Sequence, residues 1–330
     1  MKHEIVRAEV LGYCMGVRRA VEIAEKSLAN NPDRLVFTFG PLIHNKTALA
    51  NLSERGLCVL EEDEISSVKD KSPVVIIRAH GIPPKIRQKL EYAGCTLVDA
   101  TCPRVLANQK KAAVYASKGY TVIIAGDKNH GEVLGLAGCV DFSCESGKNA
   151  CVLVESVDDA ENLVFEDAGK SAFESSAVKD SASKKAGDVS GGSAEGKAAF
   201  NSADENAKYV LIGQTTISRT EYDAIAAVLK KRLPSLEILD TICPATMERQ
   251  QALEELVKNV DGIIIIGGKN SANTQRLFFA AKEKCPNAIH IESPDEIPDY
   301  FRNLKKIGIA AGASTPDEII CAVEETLKND

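Results

Sequence analysis

The sequence lacks a long apolar segment and an excess of positive charge. Apolar runs such as Ile263–Ile266 fall far short of the roughly 20 residues that a membrane span needs, and the opening MKHEIVRAEV has no apolar signal-peptide core. The net charge is −7, and the lysines alternate with acidic residues, which argues against a dedicated nucleic-acid or anionic-membrane binder. We therefore expect a cytoplasmic globular protein with no nucleic-acid or membrane partner.

Two common nucleotide-binding fingerprints are also absent. The glycine-containing segments GPLIHN, GDKNHGE and GGKNSAN match neither G-x-G-x-x-G nor G-x-x-x-x-G-K-[ST]. A Rossmann or P-loop nucleotide site is therefore poorly supported.

Cysteine, in contrast, is plentiful. The chain has ten cysteines in 330 residues, although thiols stay reduced in the cytoplasm and disulfides are rare there. Metal binding, catalysis or simple burial are therefore better explanations than a disulfide framework. The length suggests two or three structural units in one chain.

Short apolar, β-branched runs alternate with helical patterns along the chain. The runs predict buried strands at 74–77, 122–124, 210–212 and 263–266, and the patterns predict helices at 17–29, 105–118, 221–232 and 247–258. Alternation of this kind predicts an α/β fold with mainly parallel sheets. One segment, at about 166–207, consists of Ser, Ala, Lys, Gly, Asp and Glu, and we expect it to be a mobile, dispensable insertion.

The sequence contains a three-fold internal repeat. VDATCP at 98–103 and LDTICP at 239–244 each join a strand end, a cysteine and a helix start, and Cys14 in EVLGYCMGV has the same context. After each cysteine and its helix, another strand ends at a glycine: Gly40, Gly126 and Gly267. A third equivalent loop occurs at 78–81, 213–216 and 311–314.

The repeat predicts the domain organisation. The cysteine intervals are 88 and 141 residues, and the insertion accounts for most of the excess in the middle repeat. We predict an N-terminal strand at 1–13, α/β repeats at 14–101, 102–242 and 243–318, and a C-terminal helix or tail at 319–330. Parallel α/β units bind ligands at the carboxyl ends of their strands, so three units in a trefoil would direct all nine loops to one centre.

Three cysteines hold equivalent places in the repeats. Cys14, Cys102 and Cys243 each lie near a helix N-terminus, where thiolates are stabilised. A shared metal centre with an open position and burial in the core remain alternative interpretations. We interpret Cys58, Cys95, Cys285 and Cys321 as small core residues, and Cys139, Cys144 and Cys151 as incidental rather than as a zinc site or disulfide.

Polar residues cluster in the nine loops. The histidines His44, His80 and His130 are joined there by Asn45, Glu132, Gln214, Thr215, Ser271, Asn273 and Ser314. Donors of this kind beside helix N-termini suit a phosphate or diphosphate without requiring lysine or arginine. We expect a pocket of anions and sulfur to raise the pKa of Glu132, which would suit a proton donor.

Nine ordered motifs carry a resemblance to a known family. They are YCMGV, GPLIHN, RAHG, DATCP, HGE, GQTT, DTICPAT, GGKNSAN and AGAST. In them the chain resembles the 4-hydroxy-3-methylbut-2-enyl diphosphate reductases of the non-mevalonate isoprenoid pathway. The resemblance covers nearly the whole chain except the insertion.

The resemblance implies a trefoil around a 4Fe-4S cluster held by Cys14, Cys102 and Cys243, whose fourth iron binds the hydroxyl oxygen of the substrate. It implies that the diphosphate is held by His44, His80, Ser271, Asn273 and Ser314, with a backbone contact at Ala272. His130 and Thr215 would lie beside the hydroxymethyl end, and Glu132 would deliver the proton that releases water. Electrons would come from a ferredoxin or flavodoxin type of protein.

Two positions depart from the family pattern, which often has proline at Gly131 and serine at Ala272. Gly131 would loosen the loop that carries Glu132, and Ala272 would offer a backbone N–H but no hydroxyl. Two other functions stay open: a zinc-dependent, non-redox diphosphate hydrolase, and a non-catalytic iron–sulfur sensor that binds a diphosphate.

Overall fold

The computed structural model describes residues 4–69, 71–144, 151–163 and 207–329. The insertion predicted at about 166–207 lies outside these residues except for Ala207. Within the described ranges, no helix combines the length and apolar character needed to cross a bilayer.

The described strands are short and form three sheets in which every strand pair is parallel. In chain order they are β1 Glu4–Arg7, β2 Val36–Phe39, β3 Leu57–Leu60, β4 Val74–Ile77, β5 Thr96–Asp99, β6 Tyr120–Ala125, β7 Cys151–Val154, β8 Lys208–Gly213, β9 Glu237–Ile238, β10 Gly262–Ile266, β11 Ala288–Ile291 and β12 Lys306–Ala311.

Helices connect the strands and cover both faces of the sheets. They are α1 Met15–Asn30, α2 Lys46–Glu54, α3 Pro84–Tyr92, α4 Pro103–Ser117, α5 Gly131–Ser143, α6 Val157–Asn162, α7 Arg219–Arg232, α8 Pro244–Val257, α9 Ala272–Lys284 and α10 Asp317–Asn329. The α/β class with parallel sheets that the sequence predicts is confirmed.

The three sheets share one strand order. It is β3-β2-β4-β5 in the first sheet, β7-β6-β8-β9 in the second and β11-β10-β12-β1 in the third. The third sheet therefore takes its fourth strand from the start of the chain, where Glu4 lies opposite Lys306 in a parallel pair. This common order is consistent with a trefoil of three equivalent units.

The central strands are apolar on both faces because helices pack on both sides. In β10, Ile263 belongs to an apolar cluster with Leu277 of α9, whereas its neighbour Ile264 belongs to a second cluster with Ile320 of α10. All five residues of β10 are buried. Side chains alternate across a strand, so such a run supplies two cores at once.

Two of the core cysteine assignments are wrong. Cys58 and Cys321 are exposed, so they are not core residues. Cys139 lies in α5 and Cys151 in β7, and both are buried. Cys139 therefore lies in a core helix and Cys151 in a core strand.

Candidate active site

The three repeat cysteines occupy equivalent positions. Cys14, Cys102 and Cys243 are the N-cap residues of α1, α4 and α8, and none of their side chains caps its helix. Proline follows Cys102 and Cys243 directly, which suits the first position of a helix because no N–H is needed there. The sequence therefore starts a helix at each of the three cysteines.

Backbone hydrogen bonds anchor each cysteine in the same way. The N–H of Cys14 donates to the carbonyl of Ala313 at 3.0 Å, and the N–H of Cys102 donates to the carbonyl of Ala79 at 2.9 Å. The N–H of Cys243 donates to the carbonyl of Thr215 at 3.0 Å. Each acceptor lies in the loop after β12, β4 or β8, so each cysteine is held by the third loop of its own sheet.

The thiols lie close enough to affect one another. A Cβ added at Gly16, in the first turn of α1, would lie 2.6 Å from the Sγ of Cys102. Burial raises the pKa of the Cys102 thiol, the N–H groups of Arg104 and Val105 lower it, and the charges of the other two repeat cysteines raise it. Three soft donors that converge in this way fit a metal or iron–sulfur group, which would replace their protons.

Three histidines from different loops meet in the same region. The ring centroids of His44 and His80 are 4.6 Å apart, those of His80 and His130 are 5.0 Å apart, and those of His44 and His130 are 5.4 Å apart. Burial lowers the pKa of all three, to about 4 for His130. The imidazoles are therefore neutral near pH 7, and each is able to donate one hydrogen bond and accept another.

Glu132 lies in the first turn of α5 and is only 1% exposed. Its Oε1 accepts a hydrogen bond from the N–H of Thr215 at 2.8 Å, and its Oε2 accepts one from Thr215 Oγ1 at 2.7 Å. Burial raises its pKa from 4.5 to about 7, against the opposing effect of these hydrogen bonds. The direction agrees with the sequence prediction, and it makes Glu132 a carboxylic acid that holds a proton near neutral pH.

The start of α9 supplies further polar groups. Ser271 is its N-cap residue and accepts from the N–H of Thr274, and Ala272 is its first helical residue. The side-chain Nδ2 of Asn273 is buried and has no hydrogen-bond partner. Ser314, in the loop after β12, donates from Oγ to the carbonyl of His44 at 3.0 Å. Free N–H groups at a helix N-terminus favour an anion here.

All twelve predicted site residues line one pocket. They are Cys14, His44, His80, Cys102, His130, Glu132, Thr215, Cys243, Ser271, Ala272, Asn273 and Ser314. Asn45 and Gln214, which we also expected there, instead bind backbone: Asn45 caps α2 through Ala48 N–H, and Gln214 accepts from the N–H of Asp127. Their polar atoms complete loop structure, so those two expectations are wrong.

Sequence reasoning missed the arginines around this pocket. Arg249 is 3% exposed, lines the pocket and donates from Nη2 to the carbonyl of Gly12 at 2.6 Å. Arg104 also lines the pocket, and Arg78 lies close to the histidines. Arg78 opens the RAHG motif, so its signal was present in the sequence, but the expectation that neutral donors hold the anion left it out.

Known proteins are similar to this chain over nearly its whole length. Residues 5–328 match the profile of the LytB protein family. A 4-hydroxy-3-methylbut-2-enyl diphosphate reductase of Treponema denticola is 41% identical over 98% of both chains. The reductase of the same name from Caldanaerobacter subterraneus is 38% identical over 99% of this chain and 97% of its own.

Two solved structures have the same fold. One, described as (E)-4-hydroxy-3-methyl-but-2-enyl diphosphate reductase, the terminal enzyme of the non-mevalonate pathway, is 32% identical, covers 100% of both chains and has a TM-score of 0.64. The other, a diphosphate reductase from Plasmodium falciparum, is 24% identical, covers 98% of this chain and 88% of its own and has a TM-score of 0.79. The second supports the fold alone.

Proposed function

The chain belongs to the LytB family, and we propose that it catalyses the reductive dehydroxylation of 4-hydroxy-3-methylbut-2-enyl diphosphate to isopentenyl and dimethylallyl diphosphate. The observation that carries the proposal is one pocket that holds three convergent thiols, three neutral imidazoles and a buried carboxylic acid. The reaction consumes two electrons and two protons and releases one water. The thiols would hold the group that supplies the electrons, and Glu132 would supply the proton that leaves in the water.

Cys14, Cys102 and Cys243 would hold a 4Fe-4S cluster. Three thiolates leave one iron of such a cluster without a protein ligand. When bound, the cluster would supply the electrons and a Lewis-acidic iron. The electrons would reach it from a ferredoxin or flavodoxin type of donor protein, and the cytoplasmic location stays a prediction from the sequence.

The diphosphate would be held by His44, His80, Ser271, Asn273 and Ser314, with the backbone of Ala272 beside them. Support comes from three unsatisfied groups at this place: the Nε2 of His44, the Nδ1 of His80 and the Nδ2 of Asn273 are buried without partners. A buried polar atom without a partner costs about 1–3 kcal/mol, which phosphate oxygens would offset on binding.

Glu132 would donate the proton that leaves with the hydroxyl oxygen as water. His130 and Thr215 would lie beside that end of the substrate. His130 is the weaker candidate for the donor, because its pKa of about 4 leaves it without a proton to give near pH 7. Thr215 binds both oxygens of Glu132 and would hold the acid in place.

The test is one anaerobic reconstitution. Protein supplied with iron and sulfide should bind about four of each per chain, as expected for a 4Fe-4S cluster, and should convert the substrate to both products when a chemical reductant is present. Zinc binding with release of inorganic phosphate would favour a hydrolase. Cluster and substrate binding without turnover would favour a sensor.

A further inference from the structure

Arg78 occupies a slot between two glycines. It follows β4, and its guanidinium lies so close to Gly40 and Gly131 that an added Cβ would be 2.7 Å from Nη1 at the first and 2.6 Å from Nη2 at the second. Gly40 directly follows β2, and Gly131 is the first residue of α5. The charge of Arg78 therefore lies where the first sheet meets the N-terminus of a helix from the second.

This guanidinium is poorly satisfied. Its Nε is buried without a hydrogen-bond acceptor, and no carboxylate in the described part of the chain pairs with it. Glu61 attracts it only from longer range, and burial lowers the pKa of Arg78. The Nε of Arg249 is likewise buried without a partner, but the two Nη groups of Arg249 donate to the carbonyls of Ala245 and Gly12. A partly buried cation that no carboxylate compensates is unfavourable for the fold, so this charge needs another explanation.

The surroundings of Arg78 favour an anion. Its charge contributes to lowering the pKa of His44, His80 and His130, although burial is the larger cause. The N-terminus of α5 adds the positive end of a helix dipole. The ligating nitrogens of the three histidines lie within 4.8 Å of one another, a spacing that could also suit a divalent metal, but a neighbouring fixed cation opposes metal binding.

We propose that Arg78 is the fixed positive charge that balances the diphosphate of the substrate, acting across the three histidines rather than by a direct hydrogen bond. The inference rests on the proposed function, because the diphosphate is assigned to the same site. On this proposal, the charge of Arg78 destabilises the folded state and strengthens binding of the diphosphate. A residue with a merely structural role would favour folding.

The substitution Arg78→Gln separates these two roles. It removes the charge but keeps hydrogen-bonding capacity, so the free energy of unfolding should stay equal or rise. Affinity for inorganic pyrophosphate should fall about 10- to 30-fold, the size of effect expected for a unit charge several ångströms from a multiply charged anion. Arg78→Lys keeps the charge and should retain affinity to within about 3-fold.

The experiment measures binding of inorganic pyrophosphate and inorganic phosphate to the intact protein by calorimetry, together with thermal unfolding. Arg55→Gln is the control for net charge, because Arg55 is exposed and pairs with Glu25 away from the pocket. The loss on Arg78→Gln should be larger for pyrophosphate than for phosphate, since an electrostatic effect grows with ligand charge.

Three outcomes would overturn the inference. A lower unfolding midpoint with equal losses for both anions would assign Arg78 a structural role. Unchanged pyrophosphate binding in Arg78→Gln, with binding weakened in Asn273→Ala, would refute the role of Arg78 and leave the proposed diphosphate site intact. Unchanged binding in both variants would place the anion elsewhere and refute the diphosphate contacts of the proposed function as well.

Discussion

Replacing Glu132 by glutamine tests the proposed proton donor most directly. In the wild type, the N and Oγ1 of Thr215 lie 2.8 and 2.7 Å from the two carboxyl oxygens of Glu132. A glutamine side chain can keep both contacts, because its Oε1 can accept from the Thr215 N–H and its Nε2 can donate to Thr215 Oγ1. The only function lost is the transferable proton. Turnover should therefore fall by about 10²- to 10⁴-fold, the usual contribution of a general acid.

The pKa of Glu132 predicts an opposite effect on stability. The rise from 4.5 to about 7 means that the folded state binds the proton more tightly than the unfolded state. The free energy of unfolding of the wild type therefore decreases as pH rises from 4.5 to about 7 and then levels off. At 1.36 kcal/mol per pKa unit, the ionised carboxylate costs about 3 kcal/mol above that range. Glu132→Gln removes this cost.

Two measurements check the reasoning. Turnover of the reconstituted enzyme with a chemical reductant should show the loss, and wild-type kcat/KM should decline as pH rises through about 7, where Glu132 loses its proton. Denaturant unfolding at pH 5 and pH 8 should show that Glu132→Gln gains about 2–3 kcal/mol relative to the wild type between the two conditions. Glu91→Gln, on an exposed part of α3, is the matched control and should change neither quantity.

Two results would refute the assignment. If Glu132→Gln kept near wild-type turnover while His130→Asn lost activity on the predicted scale, the roles of the two residues would have to be exchanged. If Glu132→Gln were less stable than the wild type at pH 8, the buried carboxylate would be stabilising the fold, contrary to its raised pKa.

Four further substitutions test the remainder of the pocket. Cys102→Ser should abolish binding of iron and acid-labile sulfide, and full retention of both with full turnover would exclude Cys102 as a ligand. Asn273→Ala and Ser314→Ala should each raise KM by about 10- to 150-fold, since hydrogen bonds to charged groups are worth about 1.5–3 kcal/mol; unchanged KM values would place the phosphates elsewhere. Thr215→Val removes a side-chain hydrogen bond that lowers the pKa of Glu132, so the alkaline decline in kcat/KM should move to higher pH. An unchanged pH profile would show that this hydrogen bond does not set the pKa of Glu132.

The buried strands were predictable because parallel sheets are covered on both faces. The run Val74–Ile77 forms β4 with the predicted bounds, and the other three predicted strands lie inside β6, β8 and β10. Helices begin two or three residues earlier than their apolar pattern because capping residues and proline start them. Four of the nine loops follow these strands, and the equivalence of all nine was predictable from the repeated cysteine and glycine motifs.

Side-chain partners were not predictable at the same level. Asn45 and Gln214 have the same polar chemistry as Asn273, and only the fold shows that the first two bind backbone N–H groups while Asn273 Nδ2 has no partner. The slot that holds Arg78 is formed by Gly40 and Gly131 from two different units. Such contacts depend on how the units meet, which local sequence patterns do not encode.

The strand order also explains why the three thiols meet only in the complete fold. Cys102 and Cys243 follow β5 and β9, and each is held by a carbonyl from a strand loop that precedes it in the chain. Cys14 follows β1, but its N–H is held by Ala313, almost the full length of the chain away. β1 has a place in the third sheet only beside β12, which occurs near the other end of the sequence. The cysteine that is first in the chain is therefore positioned by one of its last strands, and the pocket needs all three sheets before its three thiols share one centre.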